Sequence, residues 1–387
     1  MDFSFTEEQE LLRQTVREMA RDIIFPGAAE RDEEARFDRD VWDKVAEQGY
    51  MGMPFPEEYG GQGASVIDTS IVGEALAYGG CDAGFCLSWG AHTVIGGVPI
   101  WQLGTEEQRK KYLPKIASGE WISGLGLTEP EAGSDAAGIL TTADKKDGYY
   151  VLNGTKTFIT NGPVGEVFVV LAKTDKEKGA AGISGFIVEK GFPGFSVGNE
   201  IHKTGNRSSP TSELIFDNCE VPAENLLGEE NQGFMGVALA TLEWERSVML
   251  ASAIGGMEVQ LEECIAYAKQ RRQFGRPIAH FQAVQFMLAD MKMWLETSRW
   301  ILYKVAWNKD QGIMDPLMAS LSKLYITEVA IKSAQNAIQI HGGYGYTKEY
   351  QVERALRDAQ LGVLGGGTSE IQRWIIGRML VGGKSGV

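Results

Sequence analysis

At 387 residues the chain is too long for one simple core, so two or three cooperating domains are expected. A net charge of −15 leaves no basic surface to neutralise a nucleic-acid backbone or an anionic membrane. Cys81, Cys86, Cys219 and Cys264 are scattered and read as free thiols, and the four histidines show no ligand spacing, so neither a disulfide framework nor a metal centre is expected.

The opening Met1-Asp2-Phe3-Ser4-Phe5 has neither a basic region nor a cleavage site. No apolar run approaches the ~20 residues that span a bilayer. The expected setting is cytoplasmic, or the mitochondrial matrix in a eukaryote. Residues 1–118 read as helical. Thr6-Glu7-Glu8-Gln9 spells a capping box, and Thr105-Glu106-Glu107-Gln108 repeats it. Between 119 and 228 the period shortens to that of strands. Asn153-Gly154, flanked by Tyr149-Tyr150-Val151-Leu152 and Thr155-Lys156-Thr157-Phe158-Ile159-Thr160, predicts a two-residue hairpin turn. Val167-Phe168-Val169-Val170-Leu171, Gly185-Phe186-Ile187-Val188 and Glu213-Leu214-Ile215-Phe216 predict further strands. From 229 to 387 long helical patterns return, notably over 283–307 and 318–340. Helices, then strands, then helices define an α+β class, with no glycine-rich βαβ unit.

Five segments stand out against this background: Leu127-Thr128-Glu129-Pro130-Glu131-Ala132-Gly133-Ser134-Asp135, Lys156-Thr157-Phe158-Ile159-Thr160-Asn161-Gly162, Arg271-Arg272-Gln273-Phe274-Gly275, His341-Gly342-Gly343-Tyr344-Gly345-Tyr346 and Leu361 through Arg373. In order and spacing they resemble the acyl-CoA dehydrogenase family along essentially the whole chain. The resemblance implies a middle β-barrel or sandwich (119–228) between an N-terminal helical domain (1–118) and a C-terminal four-helix bundle (229–387). It implies FAD as cofactor, with Leu125, Leu127 and Thr128 at the flavin, Phe158 against its face and Thr160 at its reactive nitrogen. Ser134 would meet flavin and the CoA pantetheine. Arg271, Phe274, Gln282, Gln339 and Gly343 would reach a neighbouring subunit's FAD, which requires a homotetramer built as a dimer of dimers. Thr368 and Glu370 would add further FAD contacts. Read alone, Thr128 and Ser134 are turn residues, Phe158 a strand aromatic and Arg271 a surface charge.

In most of that family Gly366 would be the catalytic glutamate. Its backbone N–H, the expected oxyanion donor, survives the loss of the side chain. A replacement base is sought on Leu239-Ala240-Thr241-Leu242-Glu243-Trp244-Glu245-Arg246-Ser247-Val248-Met249. Glu243 and Glu245 diverge by roughly 200° on a helix, so only one can face the flavin. Glu243 has Arg246 and Ser247 within a turn, whereas Glu245 has Leu242 and Met249, an apolar setting that raises a carboxyl pKa. The Glu-Arg pair and Ser88-Trp89-Gly90-Ala91-His92 resemble isovaleryl-CoA dehydrogenase-like members. That makes Glu245 the base, with Glu243, Arg246, Gly365 and Gly366 toward substrate. The family's tyrosines beside the acyl chain fall at Gly362 and Gly365, so a wide pocket for a branched, alicyclic or aromatic acyl group is expected; Gly362 and Thr204-Gly205-Asn206 depart from the isovaleryl pattern. The implied reaction is FAD-dependent α,β-dehydrogenation of a bulky acyl-CoA, with electrons passed to electron-transferring flavoprotein. The alternatives are an enoyl-CoA reductase, a flavin oxidase, or a non-catalytic acyl-CoA binder.

Overall fold

Both capping boxes close. Gln9 N donates to Thr6 Oγ1 at 3.2 Å and Thr6 N to Gln9 Oε1 at 3.1 Å, satisfying two N–H groups that a helix start would otherwise strand. They open α1 (Glu7–Ile23) in a computed structural model that describes residues 4–382. Met1-Asp2-Phe3 of the opening stretch, and the side chains of Leu239, Leu242 and Glu243, lie outside the described residues. α2 (Ala28–Glu34), α3 (Arg39–Glu47), α4 (Val66–Gly80), α5 (Ala83–Gly90) and α6 (Val98–Leu103) follow, and the second box opens α7 (Glu106–Ala117).

The middle region is one eight-stranded mixed sheet. Its strands are β1 (Ser123–Gly126), β2 (Thr142–Lys145), β3 (Tyr149–Thr160), β4 (Val167–Lys173), β5 (Ile183–Glu189), β6 (Phe195–Glu200), β7 (Thr211–Pro222) and β8 (Leu226–Leu227). The order is β6-β7-β3-β2-β4-β5-β8, with β1 parallel on β4. β4 and β5 are apolar on both faces and buried on both, between neighbouring helices and the rest of the sheet.

The hairpin expected at Asn153-Gly154 does not form. β3 runs through it, and its register against β7 slips between Leu152 and Gly154. The β2–β3 turn falls earlier, at Gly148 (φ +84), where Lys146 N donates to Tyr149 O at 2.8 Å. Asn-Gly supplies a permissive backbone that suits a tight turn or a bulge, and local spacing does not distinguish them.

α8 (Gly233–Trp244) passes through a π-helical segment, Glu245–Met249, into α9 (Leu250–Gln270). A short ribbon, β9 (Arg272–Gln273) against β10 (Arg276–Pro277), leads to α10 (Gln282–Asp310), α11 (Pro316–His341), α12 (Val352–Ala359) and α13 (Ser369–Leu380). Ile254, Leu261, Leu295, Leu302, Ile326 and Ala337 form the core between α9, α10 and α11. Glu74 of α4 ties the first helical region to this bundle: fully buried, it accepts from Arg299 Nη2 at 2.7 Å and from Tyr303 Oη at 2.9 Å. No helix among the described residues is long and apolar enough to cross a membrane.

Candidate active site

Two strands and a buried ion pair assemble the first half of the site. β1 carries Leu125, and Leu127 and Thr128 just beyond it run against β3, where Thr157 N donates to Thr128 O at 2.8 Å. Lys156, fully buried, donates to Leu127 O at 3.1 Å and to Glu129 Oε1 at 2.6 Å; the same carboxylate accepts from Thr141 N at 2.9 Å. Burial pulls the Lys156 ammonium down to about 8, only partly countered by Glu129. Burial pushes Glu129 upward, but Lys156 and the two N–H donors of Thr141 and Leu140 outweigh it and leave its carboxyl below the ordinary value.

Phe158 sits in a second register slip of β3, between Lys156 and Ile159, with φ +58 and 63 % of its surface exposed. An aromatic ring held outward by a left-handed backbone is costly and offers an open face. Ile159 is buried between Phe158 and half-buried Thr160, so those two face away from the core together. Asn161 Nδ2 donates to Ser88 O (3.0 Å) and Ser123 O (3.1 Å), fixing β3 to α5 and β1. Ser134 lies exposed, two residues beyond the bridge between Glu129 and Ala132.

A second cluster forms around the end of α9. Arg271 and Gly343 line a cavity of about 500 Å3 with Tyr267, Ile278 and His341, and the Arg271 guanidinium lies 5.5 Å from the Tyr344 ring centre. Phe274 (φ +51) is 93 % exposed and meets Phe281 edge-on. Gln282 opens α10 and Gln339 lies in the last turn of α11; both are exposed, and neither lines that cavity.

Glu245 and Gly366 come together. A Cβ placed on Gly366 would stand 2.5 Å from Glu245 Oε1, so the carboxylate fills the space that a side chain at 366 would enter. Gly366 has φ +62, and Gln372 Nε2 donates to its carbonyl at 3.1 Å and to that of Gly367 at 3.3 Å, pinning the loop. Thr368 Oγ1 then caps α13 by accepting from Ile371 N at 3.3 Å, with Glu370 exposed in the first turn. Burial raises the Glu245 carboxyl above the ordinary range against the opposing charges of Arg246 and Lys323. Arg246 is buried, with Nη1 donating to Ser320 Oγ at 3.2 Å, so its guanidinium is turned toward α11.

The expected vacancy is smaller than three missing side chains imply. A Cβ at Gly362 would press Thr327 Cβ and Cγ2 at 3.1 Å, and the space at Gly366 belongs to Glu245. Only Gly365 has ordinary clearance, 3.5 Å to Leu361 O. Sequence reasoning also missed Lys323, and it matched Gln372 to the family pattern without its role in pinning the Gly366 loop. Lys323 carried a signal, since it shares the three-to-four-residue spacing of buried Ala319, Ile326 and Ala330.

Models of the acyl-CoA dehydrogenase N-terminal, middle and C-terminal domains match residues 6–120, 124–219 and 231–381. The chain belongs to the acyl-CoA dehydrogenase family. As a member it is an oxidoreductase with the family's helix–sheet–helix architecture. It is 45 % identical to a short-chain-specific acyl-CoA dehydrogenase of Clostridium acetobutylicum, covering 97 % of this chain and 98 % of that one. It is 43 % identical to a mitochondrial isovaleryl-CoA dehydrogenase of Oryza sativa (97 % and 92 %) and 41 % to a 3-(aryl)acrylate reductase of Clostridium sporogenes (97 % and 99 %). Among solved structures, butyryl-CoA dehydrogenase of Megasphaera elsdenii superposes with a TM-score of 0.94 at 40 % identity (98 % and 100 %). A chain in the structure described as the electron transferring flavoprotein of Acidaminococcus fermentans gives 0.95 at 43 % (99 % and 100 %). The FAD complex of PigA gives 0.95 at 35 % (98 % and 99 %).

Proposed function

We propose that this acyl-CoA dehydrogenase removes a proton and a hydride from adjacent carbons of a bulky acyl-CoA, with Glu245 as the base. The observation that carries this reading is the abutment of the Glu245 carboxylate on Gly366. It sets a proton acceptor beside a backbone N–H that can stabilise the thioester oxygen as enolate character develops. Burial raises the basicity of Glu245.

FAD is the cofactor, and when bound it supplies the hydride acceptor. The residues present fit it. Exposed Phe158 offers a ring face, half-buried Thr128 and Thr160 offer short hydroxyls, and the open cavity beside Arg271 suits a diphosphate-bearing group from a second copy. Ser134 and Arg246 are assigned to CoA, and Thr368 and Glu370 to further cofactor contacts. Electron-transferring flavoprotein is the proposed acceptor, and the cytoplasm the proposed setting. A homotetramer is supported by a stripe of apolar side chains on α10. Phe286, Met293, Trp300 and Trp307 recur every seven residues and are 64, 56, 51 and 43 % exposed.

Anaerobic reduction of the bound flavin by acyl-CoA tests the base. Glu245→Gln should retain FAD and bind acyl-CoA while flavin reduction slows by roughly three orders of magnitude, a barrier rise of ~4 kcal/mol. Wild-type rates in that variant would overturn the assignment. The 3-(aryl)acrylate reductase relative favours a second reading, in which the same residues work toward saturation. Reoxidation of the reduced flavin by an arylacrylyl-CoA, faster than by electron-transferring flavoprotein, would decide for it.

A further inference from the structure

Lys323 is 3 % exposed, and its Nζ has no hydrogen-bond partner among the described residues. A buried ammonium left without a partner is among the costliest groups a fold can keep, so its surroundings should repay it. On its own turn, Ser320 accepts from the Arg246 guanidinium and Ser322 Oγ donates to Arg246 O at 3.2 Å, which docks the π-helical segment Glu245–Met249 on this stretch of α11. One turn on, Thr327 donates to Lys323 O at 2.8 Å and packs under Gly362 of the loop that leads to Gly366. Lys323 therefore stands where the segment carrying Glu245 and the loop carrying Gly366 meet α11.

We propose that the Lys323 ammonium is the counter-charge that keeps the Glu245 carboxylate ionised, as a positioning residue for proton abstraction. This rests on Glu245 being the base. Among the described residues the two groups make no direct ion pair, and that arrangement suits the task. A cation in contact would occupy a carboxylate oxygen, whereas one set back favours the ionised form and leaves both oxygens free. Each charge offsets the other's desolvation: burial pushes Glu245 up and pulls Lys323 down to about 8, and each opposes the shift of the other. Arg246 is the stronger positive charge on Glu245 but its guanidinium is held by Ser320, and it also pushes Lys323 down, while Glu370 of α13 and Glu328 of α11 push Lys323 up.

The test is the pH profile of anaerobic flavin reduction in Lys323→Met and Lys323→Arg. Reduction needs ionised Glu245, so its rate rises with pH through the carboxyl pKa. Removing the cation should move that limb up by about one pH unit, with rates below it falling about tenfold and the high-pH plateau largely kept. Lys323→Arg should hold the limb in place. A uniform loss at every pH, or an unmoved limb in Lys323→Met, would overturn the proposal. Should Lys323→Met not fold, infrared spectroscopy of the unaltered holoenzyme serves. The band of protonated Glu245, identified by its loss in Glu245→Gln, should be absent at neutral pH, and its presence there would overturn the proposal. Full activity of Glu245→Gln is a different outcome, one that removes the base assignment itself.

Discussion

At Gly366 the backbone is already bent into the left-handed region and the neighbouring carboxylate occupies the side-chain space, so restoring the usual glutamate alone should fail. Gly366→Glu meets Glu245 Oε1 at 2.5 Å and pays roughly 1–2 kcal/mol of backbone strain. Shortening the first carboxylate removes the clash. Glu245→Ala with Gly366→Glu should regain at least tenfold in flavin reduction over Glu245→Ala alone, measured by stopped flow, because both side chains address one point. The buried Lys156–Glu129 pair makes a second residue-scale prediction. Leaving one member of such a pair uncompensated costs about 3–5 kcal/mol, so Lys156→Met should lower the melting temperature and release FAD, read as flavin fluorescence. Glu129 has a lowered folded pKa, so its contribution is complete above the unfolded value of about 4.3 and fades as pH falls through the lower folded value. The acid step in flavin release should vanish in Glu129→Gln, which has lost the titrating group but strands the buried Lys156 ammonium and so retains FAD less well at every pH.

At the scale of elements, caps and long helices were legible because their causes are local. Thr and Gln three residues apart close a box wherever they begin a helix, and an apolar period of three to four persists through 283–307 and 318–340 within α10 and α11. The two bulges of β3 and the π-helical turn at Glu245 were not legible. Each inserts a residue out of phase, and the register slip shows only against a partner strand or helix distant in sequence. The divergence of Glu243 and Glu245 holds for an ideal α-helix, whereas a π turn begins at Glu245 itself. Gly362 and Gly365 separate in the same way, since Thr327 crowds the first and nothing crowds the second. Gly365→Tyr should therefore fold normally and cut turnover of a branched or aromatic acyl-CoA tenfold or more, for which ~1.4 kcal/mol suffices. Gly362→Ala should instead lower thermal stability. Equal stability losses in the two variants would contradict this separation.

At the scale of the molecule, the apolar stripe on α10 and the outward-facing Phe274 describe a protomer with surface left to cover. Trp300→Glu, at the middle of the stripe, should shift the mass in light scattering from that of the proposed tetramer toward smaller species. Arg271→Ala should weaken FAD retention with a smaller effect on assembly. A fully flavinated tetramer in both variants would refute the shared-site arrangement. Glu245 and Gly366 belong to segments far apart in the chain, on an interior helix and on a loop near its end, yet they converge on one volume. A lineage holding such a fold has two genetic addresses for a single chemical task. A carboxylate can be gained at one before it is lost at the other, so long as the side chains are not both long at once. With Glu245 as the proposed base, the catalytic carboxylate would move along the gene while the reacting carbon stays put, and glycine at position 366 is the residue such a transfer would leave.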